Sequence, residues 1–123
     1  MRLTAAFILL ATSAAAGGDR PPLVCFGAEP FWSLDLGAET AVFTAPDQPQ
    51  IDYAIPDVRR AEGRFWPQAL TLLSPQDTAI LLLRPAACSD TMSDVEHEWT
   101  VDMLTQRRGE AVVYTGCCRA AAE

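Results

Sequence analysis

Few side chains in this 123-residue chain carry reactive or metal-binding chemistry: four cysteines, a single histidine and an acid-rich stretch around residue 90. Cys25, Cys88, Cys117 and Cys118 show no Cys-x-x-Cys spacing, so neither a dithiol redox pair nor a zinc knuckle is indicated. An even number of cysteines behind an export signal points to disulfides instead. A bond between the adjacent Cys117 and Cys118 needs a strained turn, and on a strand their side chains face opposite ways. Cys25 and Cys88 are therefore each expected to join one of that pair. Cys88–Cys117 with Cys25–Cys118 is the preferred assignment, and the reverse pairing stays open. Each bridge would contribute about 3 to 5 kcal/mol through the loop it closes.

Asp90 and Asp94, with Ser89, Ser93, Glu96 and Glu98, form an acidic loop that could attract a divalent cation. Calcium needs several convergent oxygens, and this spacing matches no known loop, so capping of turn backbone is the expected role. His97, Met92 and Cys88 could be drawn as a soft copper site, but one imidazole beside an oxidised cysteine makes a poor donor set. His97 instead alternates in phase with Trp99, Val101 and Met103, which puts it at the core or its rim. Tyr53 and Trp66 are read as packing rather than as a sugar platform. There is no Gly-x-Ser-x-Gly, phosphate loop, His-Glu-x-x-His or dinucleotide fingerprint. The remaining enzymatic alternative is a carboxylate pair such as Asp35 with Asp102, which acts only if folding joins the two in a cleft. The expectation is a protein with no catalytic residues, no cofactor and no metal.

The elements that must position these residues are strands. Residues 1–16 read as a signal peptide: Arg2, an apolar run over 3–11 and the small-residue site Ala14-Ala15-Ala16. The expected mature domain is 17–123. Lipid anchoring at Cys25 is the alternative, disfavoured because Val24 is larger than a lipobox allows. Loss of Arg2 takes the net charge from −7 to −8, and all nine basic residues are arginines with no basic stripe. Nucleic acid is thereby excluded as a partner, and membrane association is expected only if the chain is lipidated. Strands are predicted over 31–36, 40–44, 50–55, 60–66, 69–73, 78–84, 96–104 and 110–116, punctuated by Gly37, Gly109 and six prolines. A single helical turn over 88–93 is allowed. Eight short strands imply a closed antiparallel barrel or a tight sandwich, and the barrel is preferred.

Three blocks, CFGAEPFWSLDL, CSDTMSD and GCCR, resemble the signatures of a family of small bacterial envelope proteins with a G-x-E-P-F-W motif. That family is labelled as predicted membrane proteins or lipoproteins and is loosely META-domain-like. The resemblance falls on Gly27, Glu29, Pro30, Phe31 and Trp32, on Cys88, Asp90, Met92, Ser93 and Asp94, and on Gly116 and Cys117. Thr91 stands where the family commonly has Gly, and His97 where it has an aromatic. The resemblance implies an envelope location and a small barrel, and no reaction.

The start of the first predicted strand is also similar to the Gly-x-Trp opening of lipocalins, in which a Trp closes one barrel end beneath an arginine. By that analogy Glu29, Trp32 and Arg119 are expected to form a latch, with Trp32 inward in phase with Leu34 and Leu36. Asp90, Met92, Ser93 and Asp94 form a candidate interaction loop. The function expected is that of a periplasmic, monomeric binding or interaction module. Its partner would be an envelope protein, or a small molecule or cell-wall fragment if the barrel is hollow.

Overall fold

The computed structural model describes residues 4–6 and 20–122, so most of the expected signal segment lies outside the described residues. Eight strands follow in order: β1 (Leu23–Ala28), β2 (Phe31–Leu36), β3 (Thr40–Thr44), β4 (Ile51–Arg60), β5 (Gln68–Leu73), β6 (Thr78–Ser89), β7 (Glu96–Arg107) and β8 (Glu110–Ala120). Each pairs antiparallel with its neighbours in sequence, and β8 returns to β1 to close a barrel. Closure runs from Leu23 opposite Ala120 to Phe26 opposite Cys117. Closure leaves the sheet with no first or last edge strand.

β7 and β8 run on to Arg107 and Ala120, past their predicted ends at 104 and 116, and three further departures from the sequence expectation have a local cause. No strand was predicted before residue 31, yet β1 forms: its Leu23 and Cys25 face inward and the strand pairs on both sides. The predicted break at Pro56 is absent, because the register slips between Ala54 and Asp57 and the bulge removes Pro56 from the ladder. β4 therefore runs on to Arg60, and the predicted strand 60–66 is a turn closed by the Ala61 amide on the Pro67 carbonyl at 2.9 Å. Pro85 stays in register opposite Trp99 and the bulge falls just after it, at 86 and 87, so β6 continues through 88 and 89 in place of a helical turn.

Period-two alternation sends one face of every strand inward. The axis is filled by Leu34, Phe43, Leu70, Leu81, Val101 and Met103, none with exposed surface. Burying each such side chain is worth about 1.5 to 3 kcal/mol. Aromatic layers close both ends. Trp32, Phe43 and Tyr114 pack with centroids 5.2 to 6.2 Å apart at one, and Trp66 stands edge-on to Trp99 at 5.3 Å at the other.

Trp32 has the inward phase expected of it, and two glycines make room for its ring. A Cβ on Gly27 would lie 2.0 Å from Trp32 Nε1. A Cβ on Gly116 would lie 2.0 Å from the Phe26 carbonyl oxygen and 3.1 Å from Trp32 Cζ2. Gly27 is directly opposite Trp32 in the β1–β2 register, so the indole lies across backbone that carries no side chain.

Candidate functional site

The chemistry-bearing residues converge on the tip of the β6–β7 hairpin, which folds back over the outside of β8 and β1. The disulfides are Cys25–Cys118 and Cys88–Cys117, with no free cysteine among the described residues. Cys118 faces inward and meets Cys25, its direct partner in the barrel closure. Cys117 faces outward, yet it is only 1% exposed, because the hairpin tip bonded to it through Cys88 covers it. The bulge after Pro85 permits this bend.

Within the tip, Asp90 organises the turn. Its Oδ1 accepts the amides of Met92 at 2.9 Å and Ser93 at 3.0 Å, and its Oδ2 lies 3.4 Å from His97 Nε2. The Met92 amide, with that of Ser93 and the His97 ring, holds the Asp90 carboxyl below its ordinary value. Asp90 and Ser93 thus cap a turn, as expected. His97 stands edge-on against Phe26 of β1, centroids 4.9 Å apart, so it docks the tip on the barrel wall. Thr91 holds a left-handed φ of 64°.

This fold-over leaves two depressions flanking the tip. One, about 520 Å³, is an apolar groove between the loop and the β1–β2 turn, with walls from Phe26, Phe31, Ala45, Pro46 and Met92 and Asp90 as its one ionisable group. Phe31 is 60% and Met92 64% exposed, and the two line the same groove, which makes a contiguous apolar patch of them. The other, about 400 Å³, runs between Glu29 and the Cys88–Cys117 bridge. No arginine lines either one.

The proposed latch does not assemble. Trp32 is buried, but Glu29 is exposed in the β1–β2 turn and Arg119 is exposed opposite Val24, five positions along β1 from Glu29. Pro30 follows Glu29 through a cis bond. Asp35 faces outward on β2, and Asp102, which accepts the Thr115 hydroxyl, is on β7, three strands round the barrel from β2, so the two do not pair. Among the described residues no group of three or more His, Cys, Asp or Glu could hold a metal. Trp66 and Tyr53 pack against the core, the role expected for them.

Two ionic features were not visible in the sequence. At the barrel end carrying the β5–β6 and β7–β8 turns, Asp77 accepts the Tyr53 hydroxyl on Oδ2 and Arg107 Nη1 on Oδ1 at 2.5 Å. Thr105 Oγ1 lies 3.0 Å from the same Oδ1. Burial works to raise the Asp77 pKa, but the hydrogen bonds from Tyr53, Arg107 and Thr105 outweigh it and hold the carboxyl below its ordinary value. Burial, followed by the bond to Asp77, pushes the Tyr53 phenol up. At the other end Arg20 is buried, its Nη2 donating to the Gly37 carbonyl at 2.8 Å, and burial pulls its pKa down. These contacts join residues 17 to 30 positions apart, and neither spacing nor motif marks them.

No family model, curated protein or solved structure matches the chain.

Proposed function

We propose that the chain is an exported, non-catalytic β-barrel module that docks a polypeptide partner through the groove between the 90–95 loop and the β1–β2 turn. The observation that carries this reading is a contrast. The interior is filled by the protein's own side chains, whereas Phe31 and Met92 are left exposed around an open apolar groove outside. A filled axis gives little support to a small-molecule binder of the lipocalin kind, which needs an internal cavity. The two disulfides fit an oxidising compartment, and among the described residues no helix is long and apolar enough to cross a membrane. A periplasmic location and the likeness to envelope proteins belong to the same proposal.

The test is photo-crosslinking in the cells that make the protein, with the reactive side chain at position 92 or, for comparison, at Ile80. Ile80 is also an exposed apolar side chain, on the outer face of β6. A discrete protein adduct from position 92 and none from 80 is expected. Equal labelling from both, or none from 92, would overturn the groove as a docking surface.

A further inference from the structure

The groove is apolar at its floor, and the charge around it has one sign. Asp90 lines it, Glu29 lies between the lining residues Ala28 and Phe31, and Asp47 follows the lining residue Pro46. Asp94 stands two positions beyond Met92 on the same loop. Glu29, Asp47 and Asp94 are exposed, and none has an ion-pair partner among the described residues. Asp90 is kept ionised by its own turn, as described above.

The arginines sit elsewhere. Arg59, Arg60 and Arg64 are at the end of β4 and in the turn that follows it, and Arg107 and Arg108 are at the β7–β8 turn. Arg84 is on β6 and Arg119 on β8. An apolar slot with several unneutralised carboxylates around it repels acidic partners, including a second copy of this chain at a net charge of −7. It attracts cationic ones.

Resting on the docking reading above, we infer that the groove takes a basic polypeptide segment, with one large apolar side chain seated between Phe31 and Met92 and flanking Lys or Arg residues facing Glu29, Asp47 and Asp94. The apolar anchor supplies residence. The flanking cations supply encounter rate and selectivity, and their contribution is screened by salt because these carboxylates are in water.

The experiment uses the exported protein with both disulfides formed, and fluorescence anisotropy of labelled nine-residue peptides. One peptide has a central Phe with Lys and Arg flanks. A second has the same Phe with Ser flanks, a third the same Phe with Glu flanks, and a fourth has the basic flanks around a central Ser. The first should bind about tenfold or more tightly than the second, lose affinity with added salt, and bind far better than the third and fourth. Met92→Asp should abolish its binding, with the near-ultraviolet circular dichroism unchanged because Met92 is at the surface. Glu29→Gln with Asp47→Asn should weaken the first peptide several-fold and leave the second unchanged. If all three Phe peptides bind alike and Met92→Asp still abolishes them, the basic-partner inference is overturned and the groove reading stands. Binding of the basic peptides regardless of the central residue, unaffected by Met92→Asp, would mean unspecific attraction and overturn the inference. No binding by any peptide overturns the inference, and crosslinking at position 92 then decides the groove reading separately.

Discussion

Cys117 and Cys118 are consecutive on β8 and both are buried, one outside the barrel wall and the other inside it. Cys118 bonds to Cys25 and locks the closure of the sheet; Cys117 bonds to Cys88 and holds the β6–β7 tip over the outer face. One dipeptide therefore fixes the barrel and the wall of the candidate groove independently.

Replacing the two pairs by serine should have different consequences. The Cys25–Cys118 bridge spans 93 residues and the Cys88–Cys117 bridge 29. Chain-entropy arithmetic assigns them about 4.7 and about 3.6 kcal/mol. Urea unfolding should show the larger loss for the Cys25 and Cys118 double variant. The Cys88 and Cys117 double variant should stay folded while amide exchange in residues 90–95 accelerates, because His97 against Phe26 is then the main contact holding the tip. Unchanged exchange in that variant would mean that the bridge does not hold the tip.

Gly116→Ala should be among the most damaging single changes. The added Cβ meets a backbone carbonyl 2.0 Å away on the strand that closes the barrel, and no rotamer relieves that contact. A loss of about 3 kcal/mol or more is expected in denaturant unfolding. Gly63→Ala provides the contrast: nothing lies within 4 Å of the added Cβ, and only the left-handed φ of 74° opposes it, so about 1 kcal/mol is expected.

How far the sequence could be read follows from which forces are local. The alternation of Phe31-Trp32-Ser33-Leu34-Asp35-Leu36 shows its own inward face, and β2 has the predicted bounds. Opposite facing on a strand also separated Cys117 from Cys118 and excluded the vicinal bond, while the choice between the two remaining pairings needed the register that sets Cys25 opposite Cys118. Prolines misled where a bulge lies at or next to them, since Pro56 and Pro85 look like breaks until the register around them is known. The lipocalin analogy joined Glu29 to Arg119 with 31–36 as the first strand, but that strand is β2: the unpredicted β1 stands between it and β8, and the register puts Arg119 beside Val24, since registers are set by the whole barrel. The Tyr53, Asp77 and Arg107 cluster is likewise a product of closure and has no sequence signature.

Acid should expose the contribution of Asp77. Its carboxyl pKa is depressed in the folded state, so the stability it confers is fully present above the unfolded value near 3.9 and is lost as pH falls through the folded value. Asp77→Asn removes the charge facing Arg107, which should cost about 2 to 3 kcal/mol at pH 7. The gap between the parent and this variant should be constant from pH 7 to about 5 and close below about pH 4. A gap that persists unchanged at pH 2.5 in urea titrations would place the loss in packing rather than in the ionised carboxylate.

Thr91→Gly should stabilise the protein. A β-branched residue rarely tolerates a positive φ, and Thr91 holds 64° at the crest of the 90–95 loop. The left-handed conformation costs an ordinary residue about 1 to 2 kcal/mol, while glycine adds about 0.4 to 1 kcal/mol of unfolded-chain entropy. The Thr91 hydroxyl reaches only the carbonyl of its neighbour Asp90, at 2.6 Å, so little bonding is lost. The net expectation is a gain of up to about 1 kcal/mol in urea unfolding, with slower amide exchange at Met92 and Ser93, whose amides Asp90 accepts. A loss of stability instead would show that the Thr91 side chain holds the loop by contacts stronger than the strain it carries.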